Sequence, residues 1–122
     1  MIRGIGTDII EIDRISRAVK KDYFLKRAFT DSEIVMAKER NTDVFLAGNF
    51  AVKEAFVKAL GIGFRGIGLK DLEVLRDKFG KPFIRICNPE NIHLMDINEK
   101  NIYVSISNTN SLVVAMVVIE VD

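Results

Sequence analysis

The chain has 122 residues, 48% hydrophobic and 29% charged, with a formal net charge of +1. That length gives one domain with room for a real core, and that balance excludes disorder and offers no global case for nucleic acid. A single cysteine, Cys87, excludes an internal disulfide and suits a reducing compartment as core filler. Asp8 and Glu11 stand too early for a signal peptide, and the longest apolar run, Leu112 to Ile119, is too short to span a bilayer. A soluble, cytoplasmic protein without membrane contact is expected.

Met1 to Ile5 reads as a short apolar strand interrupted by Gly4 and closed by Gly6-Thr7-Asp8. Asp8 is therefore expected at a strand end, as a ligand-presenting carboxylate or equally as a turn or helix-capping aspartate. Residues 9–21 read as one helix, with Ile12, Ile15 and Val19 on one side and Arg14, Arg17 and Lys21 on the other. From Asp13 to Arg27 six basic residues stand against two acidic ones, Asp13 and Asp22. Such a ridge is a solvated face or a dock for something acidic. A protein partner fits it at least as well as nucleic acid, because only Tyr23 and Phe24 offer aromatic interleaving.

Thr30 and Glu33 form a capping box, with Phe29 and Ile34 as its hydrophobic staple, and predict a helix to about Glu39. Residues 41–61 then read as one long helix. Asn41 or Thr42 caps its start, Asp43 suits the positive end of its dipole, and Gly61 supplies the left-handed residue at its end. This helix is apolar on more than one side, so the fold or a partner subunit must bury it. Phe50, Glu54 and Lys58 stack on one face at four-residue spacing. Spacing alone makes Glu54 and Lys58 a surface ion pair worth roughly 0.3–0.5 kcal/mol. Ala47, Ala51, Ala55, Phe50 and Phe56 leave little solvated surface nearby, so this carboxylate needs a cation, either Lys58 or a metal ion.

Gly61 to Gly68 formally matches the GxGxxG dinucleotide fingerprint, but it follows a helix rather than a strand, and that reading is rejected. It remains a flexible connector or a loop whose backbone can approach a phosphate. Residues 69–79 and 83–87 are expected as strands flanking a Gly80-Lys81-Pro82 turn. A short helix is expected from Pro89 to Met95, carrying the only histidine, His93, in a structural role. Ile102 to Ser107 alternates as a strand, Asn108 to Ser111 is turn chemistry, and Leu112 to Ile119 is apolar on both faces. One face of that last strand is expected to be hidden by another subunit. The fold class is α+β: helices in the N-terminal half packed on an antiparallel sheet formed by the C-terminal strands and the N-terminal strand.

Gly4-Ile5-Gly6-Thr7-Asp8-Ile9-Ile10-Glu11-Ile12 is followed by Phe50-Ala51-Val52-Lys53-Glu54-Ala55-Phe56-Val57-Lys58-Ala59-Leu60-Gly61, then by Gly80-Lys81-Pro82 and Val104-Ser105-Ile106-Ser107. In this order they closely resemble the holo-acyl-carrier-protein synthases, the small bacterial-type 4'-phosphopantetheinyl transferases, from end to end. The resemblance implies magnesium-dependent transfer of phosphopantetheine from coenzyme A to a serine of an acidic acyl carrier protein, releasing adenosine 3',5'-bisphosphate. It implies a homotrimer with sites between subunits. On matching positions it makes Asp8 and Glu54 the metal ligands and Lys58 the cation beside the pyrophosphate, with these three as the catalytic set. It places Lys53, Lys58, Gly61, Gly63, Arg65, Lys81, Pro82, Ser107, Asn108, Thr109 and Asn49 around coenzyme A. Arg14, Arg17, Lys21, Phe24 and Phe50 would face the carrier. The chain departs from the family twice, at Asn49 and Asn108, where members commonly carry arginine and histidine, both expected to help hold the coenzyme. The rival readings are a non-catalytic trimer that binds coenzyme A or a carrier, and a small nucleic-acid binder using the basic ridge.

Overall fold

The computed structural model describes residues 1–122. The first strand, β1 (Ile2–Glu11), runs through Asp8 rather than ending there. Residues 9–11 are also strand, not helix, because Ile9, Ile10 and Glu11 pair with Val114, Val113 and Leu112 more than a hundred residues away. The expected helix over 9–21 is therefore replaced by α1 (Ile12–Ala18) and a separate α2 (Asp22–Ala28). Next comes α3 (Asp31–Lys38), which opens on the capping box. Glu33 N donates to Thr30 Oγ1 at 3.3 Å, and Thr30 N donates back to Glu33 Oε1 at 3.0 Å.

The long helix is α4 (Thr42–Leu60), capped by the Asn41 side chain and ended by Gly61 at φ 80°. From Phe45 onward it is buried everywhere except at Phe50, Glu54, Lys58 and Leu60. The stripe at four-residue spacing is thus its window to the outside. β2 (Leu72–Arg76) and β3 (Pro82–Ile86) form an antiparallel hairpin, narrower than expected: Leu69–Asp71 is a 3-10 turn, and Pro82 joins β3. The expected helix from Pro89 to Met95 is a run of turns. There the Asn91 side chain accepts from the His93 amide at 3.0 Å, a local bond that competes with helix formation.

β5 (Leu112–Glu120) is the centre of a second, three-stranded antiparallel sheet, with β1 on one side and β4 (Ile102–Asn108) on the other. The α+β architecture holds, with two sheets. Pleating puts Gly4, Gly6, Asp8 and Ile10 on the inner face of β1, against α4. A Cβ built on Gly6 would lie 1.8 Å from Ala55 O, and one on Gly4 would lie 1.9 Å from Ala59 O. Only glycine lets the helix backbone rest on the strand this closely. β5 alternates in burial after all: Val113, Ala115, Val117 and Ile119 are buried beneath α4, whereas Val114 and Met116 are 41% and 42% exposed. Ile5 and Ile9 share that outer face at 54% and 63% exposure, so one side of the sheet is an open apolar surface. No helix is long and apolar enough to cross a membrane.

Candidate active site

Asp8 enters the site because its neighbours on the inner face of β1 are glycines. With α4 pressed on Gly6, the Lys58 ammonium reaches across to the strand and donates to Asp8 Oδ1 at 3.1 Å and Thr7 O at 3.0 Å. Lys58 therefore pairs with Asp8, not with Glu54 as helix spacing alone proposed. Glu54, one turn earlier on the same stripe, is half-buried. Burial and then the negative charge of Asp8 raise its pKa above the ordinary carboxylate value, opposed by Lys58 and Arg14. The structure thus gathers Asp8, Glu54, Lys58 and the guanidinium of Arg14. No third carboxylate, histidine or thiol joins the two acids as a metal cluster. Two converging carboxylates, one of them resisting ionisation, fit a hard divalent cation that takes its remaining ligands from phosphate and water, as magnesium does.

Beside Glu54 opens a cavity of about 470 Å³ lined by Arg27, Phe64, Ile67, Gly68, Leu69 and Lys70, together with Asp71. Its walls are the end of α2, the glycine loop after α4 and the 3-10 turn before β2. Gly61 and Gly63 adopt φ of 80° and 63° in that loop, and Arg65 is exposed on it. Arg27, Phe64 and Lys70 were not singled out from the sequence, which offered no periodic or motif signal for them.

Two expected coenzyme contacts are corrected. Lys53 and Asn49 are both fully buried. Lys53 Nζ donates to Glu33 Oε1 at 2.7 Å, while Asn49 Nδ2 donates to Glu33 Oε2 and to Val74 O, both at 2.8 Å. Both side chains leave α4 about 100° round from its exposed stripe and are sealed from solvent, so neither can meet a soluble phosphate. The capping-box glutamate is therefore also the anchor of a buried polar network.

Further from Glu54, Arg40, Phe45, Arg76, Gly80, Pro82 and Asn108 line a second cavity of about 290 Å³. The Arg76 and Arg40 guanidiniums lie 4.4 Å and 5.9 Å from the Phe45 ring centre, and neither makes an ion pair. Burial, and then the charge of Arg40, pull the Arg76 pKa down to about 10. Two guanidiniums without carboxylate partners give this cavity a positive lining. Sequence reasoning missed both arginines; the only signal for Arg76 was its place just ahead of the Gly80-Lys81-Pro82 turn. Of the remaining expected residues, Lys81 and Ser107 are exposed near this cavity's rim elements, and Thr109 Oγ1 accepts from Ser111 N and Leu112 N to shape the turn.

Arg14 and Arg17 are exposed on α1 and Lys21 is exposed just before α2. Phe24 packs on Phe50 with ring centres 6.0 Å apart, both partly buried. A cavity of about 550 Å³ lies among Asp96, Glu99, Glu120 and Asp122. Glu120 pairs with Ile2, roughly 20 Å along β1 from Asp8, and this acidic lining repels phosphate.

Residues 4–117 match the family described as the 4'-phosphopantetheinyl transferase superfamily. A holo-[acyl-carrier-protein] synthase of Clostridium botulinum (strain Eklund 17B) is 49% identical over 99% of this chain and 99% of its own length. The crystal structure of a holo-(acyl-carrier-protein) synthase from Bacillus anthracis in complex with CoA (3',5'-ADP) is 36% identical, with a TM-score of 0.83 over 100% of this chain and 99% of that one. The Helicobacter pylori synthase in complex with coenzyme A is 34% identical, with a TM-score of 0.82 over 95% of this chain and 99% of that one. Matched over nearly its whole length, the chain belongs to the 4'-phosphopantetheinyl transferase superfamily, among its holo-[acyl-carrier-protein] synthases.

Proposed function

We propose that this enzyme transfers the 4'-phosphopantetheine group of coenzyme A to a serine hydroxyl of an acyl carrier protein, with magnesium held by Asp8 and Glu54, releasing adenosine 3',5'-bisphosphate. The observation that carries the reading is the meeting of Asp8, Glu54 and Lys58 beside a slot with basic and apolar walls. The names of the similar synthases and the coenzyme in two of their crystal structures support it.

Magnesium, when bound, supplies the charge that clamps the diphosphate and offsets charge on the departing oxygen. Lys58, more than half exposed and held beside Asp8, is in this reading the proton donor to that oxygen. In this reading Glu54 serves as the base that takes the proton of the attacking hydroxyl. The serine oxygen bonds the pantetheine-bearing phosphorus, and the bond from that phosphorus to the bridging oxygen breaks, the oxygen leaving on the 5'-phosphate of adenosine 3',5'-bisphosphate. The slot beside Glu54 receives the neutral pantetheine arm along Phe64, Ile67 and Leu69.

The cavity of Arg40 and Arg76, with Pro82, Asn108 and neighbouring Lys81, receives the phosphorylated nucleotide end. On one chain Phe45 and Glu54 stand nine residues apart on α4, roughly 13.5 Å. A homotrimer closed through the outer sheet face of Ile5, Ile9, Val114 and Met116 would bring one subunit's slot to its neighbour's arginines. Arg14, whose charge acts on Glu54, forms with exposed Arg17 and Lys21 the dock for an acidic carrier, with the Phe24–Phe50 edge as its apolar contact. The cytoplasm is the compartment that one unpaired cysteine suits.

The test is to mix the protein with coenzyme A, magnesium and an apo carrier, then weigh the carrier. A gain of one phosphopantetheine is expected, and Asp8→Asn should lower kcat/KM by roughly a hundredfold or more. No gain at any metal concentration would leave a non-catalytic binding trimer as the better reading.

A further inference from the structure

Lys53 is adjacent in sequence to Glu54, yet it leaves α4 about 100° round from it and is sealed from solvent. Its ammonium is fully buried and donates to Glu33 Oε1 at 2.7 Å, Ala28 O at 2.8 Å and Leu69 O at 2.8 Å, which uses all three of its protons. The Ala28 carbonyl belongs to the last turn of α2, where no helical amide remains to satisfy it. Leu69 is in the 3-10 turn that follows the glycine loop.

Each of those carbonyls belongs to a wall of the slot beside Glu54. Arg27, next to Ala28, lines one side, and Gly68 with Leu69 lines another. Glu54 itself lies one residue beyond Lys53 on α4. One nitrogen therefore ties α4 to two of the slot's walls, the end of α2 and the 3-10 turn. An apolar side chain of similar size would fill the same space, but removing one partner of a buried ion pair is strongly destabilising, so the variant is judged by the KM of its folded fraction and not by its stability. What methionine or leucine cannot do is hold two carbonyls and a carboxylate at set distances around one point.

We propose that Lys53 is a positioning residue: without touching substrate, it holds the Ala28 and Leu69 walls of the slot at a set distance from Glu54. This inference rests on reading the slot as the site of the coenzyme's pantetheine arm. Glu54 is placed independently, because Gly4 and Gly6 seat α4 on β1. Loss of Lys53 therefore loosens the slot and leaves the two acids in place.

The discriminating variant is Lys53→Met, in which Glu33 keeps its amide donors from Thr30, Asn49 and Val74. The KM for coenzyme A is expected to rise roughly tenfold while kcat and the magnesium half-saturation stay within about threefold of wild type. A residue that only stabilised the fold would lower the active fraction and leave KM alone. Lys53→Arg, which keeps a charge beside Glu33, is the second variant. Its planar fork cannot aim three donors at acceptors grouped around one nitrogen, so KM should move in the same direction. Wild-type KM in either folded variant overturns the proposal, as does a shift confined to the magnesium half-saturation. Failure of the wild-type protein to load any carrier would instead overturn the transferase reading.

Discussion

The seat of α4 on β1 can be tested by adding one methyl group. In Gly6→Ala the new Cβ would stand 1.8 Å from Ala55 O, where ordinary contact begins at 3.4 Å. Backbone on both sides leaves no rotamer escape, so the helix must retreat by about 1.6 Å. The Lys58–Asp8 pair, now 3.1 Å, spans the same interface and would be pulled beyond bonding range. Overpacking of this kind costs about 1–3 kcal/mol, a fall in Tm of roughly 4–12 °C for a chain this size. Misplacing catalytic groups by more than an ångström should lower carrier loading by roughly a hundredfold. Urea denaturation and the mass of the carrier read the two effects. Gly68→Ala is the stability control, because its Cβ would meet nothing nearer than 3.9 Å. A Gly6→Ala protein with wild-type urea midpoint and loading rate would refute the claim that the strand glycines assemble the site.

Other expectations follow from the same geometry. In the metal-free protein Glu54 keeps a proton that the unfolded chain releases, because burial and Asp8 raise its pKa above 4.5. The Glu54 contribution to stability should therefore be fully present below that value and be lost as pH rises through the raised pKa; urea midpoints across that range should lose this component in Glu54→Gln. Parallel profiles for the two proteins would contradict it. Asn49→Ala strips partners from Glu33 and Val74 O and should cost about 1–3 kcal/mol in urea, with the KM for coenzyme A unchanged. Arg76→Gln should raise that KM roughly tenfold with little change in kcat, since it removes one of two cations from the second cavity. Met116→Lys places a charge on the apolar outer face; light scattering should show a lower mass and loading should fall together.

The helix boundaries around the site were legible because their causes are local. Thr30 with Glu33, and Asn41 with Gly61, specify ends through bonds and dihedrals that a few neighbouring residues decide. The stripe of Phe50, Glu54 and Lys58 was legible for the same reason, since helical spacing alone brings it to one face. The extent of β1 was not. Residues 9–11 carry an apolar pattern that suits a helix, and pairing with Leu112 to Val114 makes them strand. Nor could spacing show that Lys53 and Asn49 point inward while Glu54 points out. Around so apolar a helix, which positions meet the sheet depends on the surface packed against it.

By itself, the order of residues determined where α3 and α4 start and stop, which side of α4 carries the acid and the lysine, and, through motif resemblance, the chemistry to look for. Only the tertiary structure decided that Lys58 answers Asp8, that Lys53 is sealed away, and that Arg40 and Arg76 meet over Phe45. The division follows from range. Caps and helical spacing act over a few residues, whereas a partner drawn from a distant strand or turn is chosen by packing, which no local stretch contains.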